Sequence, residues 1–135
     1  MTEVEMPVAN TKTRILIVDD SSLVRLYCRD ILEKAGLEVE QAINGIEAME
    51  KVLTQTFDLV IVDVNMPRMD GFSFIRALRN NVADVSTLPA LVITTEAGSQ
   101  DRDEARSAGA NFYLVKPLSE FDLLRHVAVL TGAPR

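Results

Sequence analysis

Short runs of unbroken apolar residues alternate along this chain with longer stretches in which apolar positions recur every three or four residues. Arg14-Ile-Leu-Ile-Val18 is the first short run, and its β-branched content reads as a strand buried on both faces, as in a parallel sheet. Leu59-Val-Ile-Val62 is the strongest strand of the set, and Ala90-Leu-Val-Ile93, introduced by Pro89, has the same form. Leu37–Gln41 is a weaker candidate, and Phe112–Val115 is the last. Between them lie helical patterns. Ser21 or Ser22 caps a helix in which Leu23, Leu26, Tyr27 and Ile31 recur at helical spacing, closed by Gly36. Asn44-Gly45 turns into a helix with Ile46, Met49, Val52 and Leu53 on one side. A loop from Met66-Pro67 to Gly71 leads into a helix beginning at Phe72–Leu78. The polar segment Gln100–Ala108 is a helix that stops near Gly109, and Ser119 caps a final helix carrying Phe121, Leu124 and Val127.

Roughly five strand–helix units in about 120 residues imply an α/β chain. The expected architecture is a flavodoxin-like, doubly wound, five-stranded parallel sheet of order 2-1-3-4-5 with helices on both faces. The 135 residues suit one domain, expected over 13–131, with a flexible N-terminal tail (1–12) and a C-terminal tail (132–135). A start at Met1 and an end just past the last helix suggest a stand-alone protein with no output domain. Charge narrows the function further. A formal net charge of −6 argues against nucleic acid and against an anionic membrane as partners. One cysteine, Cys28, allows no intrachain disulfide, and no apolar run is long enough to span a bilayer. With no signal-peptide pattern at the start, a cytoplasmic location is expected.

In open α/β sheets, ligands bind in the crevice at the carboxyl ends of the strands. The polar residues that end each strand are therefore the candidate chemistry. The first strand ends in Asp19 and Asp20, the third in Asp63, the fourth in Thr94 and Thr95, and the fifth in Lys116, followed by Pro117. Three carboxylates in one crevice repel one another and call for a cation. Oxygen-only ligands point to a hard ion, and Mg²⁺ needs only one or two carboxylates. A divalent ion, a lysine, a hydroxyl and a carboxylate free to attack are the parts needed for phosphoryl transfer.

Asp19-Asp20, the stretch Asp63-Val-Asn-Met-Pro-Arg-Met-Asp70-Gly71, Thr94 and Lys116-Pro117 together resemble the response-regulator receiver domain, in its CheY-like stand-alone form. The resemblance covers about residues 13–131. It implies a phosphoacceptor switch of two-component signalling rather than an enzyme acting on a small substrate. By the same resemblance Asp63 is the acceptor. Asp20, Asp63 and the backbone carbonyl of Asn65 bind Mg²⁺ (or Mn²⁺ in its place), and Asp19 holds the ion through water. Lys116 pairs with the phosphoryl group and Thr94 hydrogen-bonds to it. Tyr113 is the aromatic switch residue, and Asn65 and Glu96 tune hydrolysis. The Lys116–Pro117 bond is expected to be cis. The implied partners are a sensor histidine kinase or histidine phosphotransfer protein and a downstream target protein, with the chain a monomer or weak dimer. Two departures stand out. The mixed-charge segment Asp101–Arg106 differs from the basic region of regulators that bind the flagellar switch, and Thr95 is bulkier than the small residue usual there.

Other readings remain beside this one. A haloacid-dehalogenase-like phosphatase uses an Asp nucleophile, Mg²⁺ and Lys, but its D-x-D motif follows the first strand, where this chain has Asp-Asp-Ser-Ser. A flavin-binding carrier needs a Ser/Thr/Gly-rich loop at the place of Asp19 and Asp20. A binding module that works without phosphorylation would share the fold. His126 and Cys28 read as packing residues, as do Met66, Met69 and Phe72, and Asp101–Arg106 reads as a solvated helix face.

Overall fold

The protein is described by a computed structural model covering residues 12–64, 66, 68–95 and 99–132. Both expected tails lie almost wholly outside these residues, and so do Asn65 and Glu96. The elements run β1 (Arg14–Val18), α1 (Ser22–Lys34), β2 (Glu38–Ala42), α2 (Gly45–Thr54), β3 (Leu59–Asp63), α3 (Gly71–Arg79), α4 (Ala83–Ser86), β4 (Ala90–Thr94), α5 (Ser99–Ala108), β5 (Phe112–Val115) and α6 (Glu120–Thr131). The five strands form one sheet of order β2-β1-β3-β4-β5 with every pairing parallel, as expected from the alternation.

The two sheet faces sort the strand residues by period two. Ile15, Ile17, Leu59, Ile61, Leu91 and Ile93 face α1 and α6, where Cys28, Ile31, Leu32, Leu123 and Val127 complete a core. Leu16, Val18, Val60, Val62, Ala90 and Val92 face the other way, onto a second core built with residues from α2, α3 and α5. β1, β3 and β4 are covered on both faces, which explains their uninterrupted apolar runs.

Three sequence expectations are corrected. In α1 the apolar arc is wider than the buried stripe. The sheet takes Cys28, Ile31 and Leu32, with Val24 partly buried, and leaves Leu23 (78%), Leu26 and Tyr27 exposed. In α2 and α6 the inward residues are Ala48, Val52, Leu123 and Val127, while Ile46, Leu53 and Phe121 are exposed. Helical spacing alone fits either flank of such an arc, and the helix axis on the sheet selects one. β2 begins at Glu38 rather than Leu37, in register with Arg14, and the four-residue helix α4 gave no periodic signal in the sequence.

The helix starts are well signalled. Ser21, Asn44, Asp70 and Ser119 each accept a hydrogen bond from a backbone N–H of the first turn of α1, α2, α3 and α6. Gly71 serves a different need. A Cβ there would lie 2.4 Å from the Asp63 carbonyl oxygen, so only glycine lets α3 start this close to the end of β3.

Candidate functional site

In this strand order the connections reverse direction between β1 and β3, which places the crevice at their carboxyl ends. The residues that end β1 and β3 therefore meet. One carboxylate oxygen from each of Asp19, Asp20 and Asp63 lies within 4.8 Å of the others. β5 reaches the same point from the far side through β4. The Lys116 N–H donates to the Thr94 carbonyl at 2.6 Å, extending the β4–β5 ladder by one step. The Lys116 ammonium then sits between two acids, 3.3 Å from Asp19 Oδ2 and 3.3 Å from Asp63 Oδ1.

Burial gives the cluster its electrostatic character. Asp19 is 0% exposed and Asp63 5%, whereas Asp20 faces solvent. Asp63 has its pKa pushed up from 3.8 to about 6, first by burial and then by the negative charge of Asp19, with Lys116 opposing both. Burial lowers the pKa of Lys116, but Asp19 and Asp63 outweigh it and hold the ammonium above its ordinary value. One lysine thus leaves the three carboxylates under-compensated, and a hard divalent cation fits the all-oxygen donor set that remains. Thr94 ends β4 at the same edge, buried at 1% exposure.

The other expected residues fall as follows. Tyr113 lies on β5, half-buried against the second core, and lines a groove with Arg102, Arg106 and Phe112. The Lys116–Pro117 bond is cis. Thr95 is exposed and borders an apolar groove with Leu23, Val24, Tyr27, Pro117 and Leu118. His126 packs edge-on against Phe112, with ring centroids 4.5 Å apart, and its Nδ1 lies 2.7 Å from the Asp122 carbonyl. Cys28 is fully buried, and burial raises its thiol pKa to about 11.

Two residues near the site were missed by sequence reasoning. The Tyr27 hydroxyl donates to the Leu118 carbonyl at 2.7 Å and ties α1 to the loop after Lys116. Arg25 donates through Nη1 to the Asp19 carbonyl at 2.6 Å and through Nε to Gln41 Oε1 at 3.0 Å. A cation near a helix N-terminus opposes the helix dipole, and that mismatch was the available signal for Arg25.

A family model for the response regulator receiver domain matches residues 15–128. The sensor protein EvgS of Escherichia coli is 40% identical over 119 residues, spanning 88% of this chain and 10% of EvgS. The chain therefore spans about a tenth of that relative's length. Protein PilG of Pseudomonas aeruginosa is 33% identical over 111 residues, which is 82% of each chain. Among solved structures, the chemotaxis response regulator CheY4 of Vibrio cholerae superposes with a TM-score of 0.84 at 38% identity, over 89% of this chain and 99% of that one.

Proposed function

Because this chain belongs to the response-regulator receiver family, we propose that it is a phosphorylation-operated switch of two-component signalling with Asp63 as the residue that takes the phosphoryl group. The observation that carries this reading is Lys116, held 3.3 Å from both Asp19 and Asp63 at the switch point of the sheet. The receiver unit is 13–131, and it acts as a switch rather than as an enzyme with a small-molecule substrate. The donor is a histidine kinase or histidine phosphotransfer protein, and the output is contact with a downstream target protein. The chain works in the cytoplasm as a monomer or weak dimer. No helix among the described residues is long and apolar enough to cross a membrane.

Asp63, Asp20 and the Asn65 carbonyl would hold Mg²⁺ or Mn²⁺ directly, and Asp19 would do so through water. When bound, the ion supplies positive charge that neutralises the oxygens of the transferring group. The chain's own residues do the rest. An Asp63 carboxylate oxygen forms a bond to phosphorus as the phosphorus–nitrogen bond to the donor histidine breaks. The electron pair stays with the imidazole nitrogen, and Asp63 becomes an aspartyl phosphate. Lys116 holds charge against the phosphoryl oxygens, and the Thr94 hydroxyl donates to one of them. Drawing Thr94 and Lys116 toward the added charge loosens the packing around Tyr113, which turns inward. The α5–β5–α6 surface then changes between two existing packings. Water later attacks the phosphorus, releasing inorganic phosphate and the free carboxylate at a rate tuned by Asn65 and Glu96.

An acyl phosphate has a chemical signature that a phosphoester lacks. Label introduced from acetyl phosphate with Mg²⁺ is expected to leave within minutes in neutral hydroxylamine and to be absent when the metal is chelated. Label that resists hydroxylamine would place the phosphate on a hydroxyl side chain and contradict this function.

A further inference from the structure

Asp19 is held by every polar atom it has. Its N–H donates to the Ala42 carbonyl at 3.1 Å, one step beyond the β1–β2 ladder. Its Oδ1 accepts from the Ser21 N–H at 2.9 Å, and its Oδ2 accepts from Lys116 Nζ at 3.3 Å. The remaining atom, the carbonyl oxygen, accepts from Arg25 Nη1 at 2.6 Å, the shortest of the four contacts. That carbonyl belongs to the peptide joining Asp19 to Asp20. Fixing its plane sets the direction in which the next residue leaves the strand. Asp20 is exposed, so the orientation of its carboxylate depends on this peptide more than on packing.

Arg25 is itself aimed. Its Nε donates to Gln41 Oε1 at 3.0 Å, and Gln41 sits opposite Ile17 in the β1–β2 pairing. The planar guanidinium thus spans β1 and β2 with two donors at once, a geometry that an ammonium cannot copy. Its position near the start of α1 runs against the helix dipole, so dipole complementarity does not explain it.

We infer that Arg25 is a positioning residue: it locks the Asp19–Asp20 peptide so that the acidic pair faces Asp63 in the arrangement a divalent cation requires. The inference rests on the receiver reading of the site. Outer groups that orient metal ligands change metal affinity by roughly 10- to 100-fold when removed.

Mn²⁺ binding tests this without any phosphoryl donor. Free Mn²⁺ is followed by electron paramagnetic resonance in the wild type, Arg25→Ala, Arg25→Lys and Lys34→Ala, with folding checked by far-UV circular dichroism. Arg25→Ala is expected to weaken Mn²⁺ binding about tenfold or more, and Arg25→Lys to remain within threefold of it. Lys34→Ala removes the same charge at the far end of α1 and is expected to bind within about twofold of the wild type. Should Arg25→Ala fail to fold, Arg25→Lys decides alone. Unchanged affinity in the Arg25 variants, or full recovery with lysine, overturns the positioning role and leaves the receiver reading intact. A wild type that binds no Mn²⁺ overturns both.

Discussion

At pH 8 and without divalent cations, Asp63→Asn is expected to be about 3 kcal/mol more stable than the wild type. The sign follows from the upward shift of Asp63, from 3.8 to about 6 in the folded protein. Below pH 3.8 the carboxyl is protonated in both states and contributes nothing. Between 3.8 and about 6 the unfolded chain has released its proton while the folded protein retains it, so stability falls as pH rises. Above that window the full cost is present, because an ionised carboxylate is held in a buried crevice beside Asp19. Asparagine has nearly the same shape and no charge to desolvate. Urea unfolding of both proteins from pH 4 to 8 checks this. The gap is expected to close toward pH 4, and Mg²⁺ is expected to narrow it at pH 8 by binding only the folded wild type tightly. Equal stability at every pH would mean that the site tolerates its charge without a metal.

Lys116→Ala is expected to slow phosphoryl transfer from acetyl phosphate by roughly 100- to 1,000-fold while leaving the acceptor in place. Two effects add. In the proposed reaction the ammonium, 3.3 Å from Asp19 and Asp63, is the fixed cation against the incoming phosphoryl oxygens, and no other described site residue at the carboxyl ends of β4 and β5 carries a positive charge. Lys116 also opposes the upward shift of Asp63, so its loss leaves more of the nucleophile protonated near neutral pH. The pH at which transfer reaches half its maximum is therefore expected to rise in the variant. A rate within threefold of the wild type, with the same pH midpoint, would remove Lys116 from the chemistry.

The strand-end residues were readable in the sequence because the sheet makes them so. β1, β3 and β4 are covered on both faces, so their cores are continuous apolar runs, and the first polar residue after each run marks the crevice. Asp19, Asp63 and Thr94 stand out in this way, and Lys116 stands out as the polar residue after the shorter, partly exposed run of β5. The helices were harder. Their apolar arcs are broader than their contact with the sheet, so Leu23 and Phe121 share the helical spacing of core residues yet face solvent. Arg25 and Tyr27 escaped for a related reason. Each acts through a backbone carbonyl of a residue brought close only by the fold, Asp19 in one case and Leu118 in the other. A carbonyl leaves no trace in the identity of the residue that carries it. The helix α4 went unread because four residues span barely one turn and bury no side chain.

The proposed phosphoacceptor role of Asp63 is tested most directly by the intact mass of the wild type and of Asp63→Asn after incubation with acetyl phosphate and Mg²⁺. A gain of one phosphoryl group in the wild type alone is the predicted result. No gain in the wild type, or an equal gain in the variant, would contradict it and favour a binding module that works without phosphorylation.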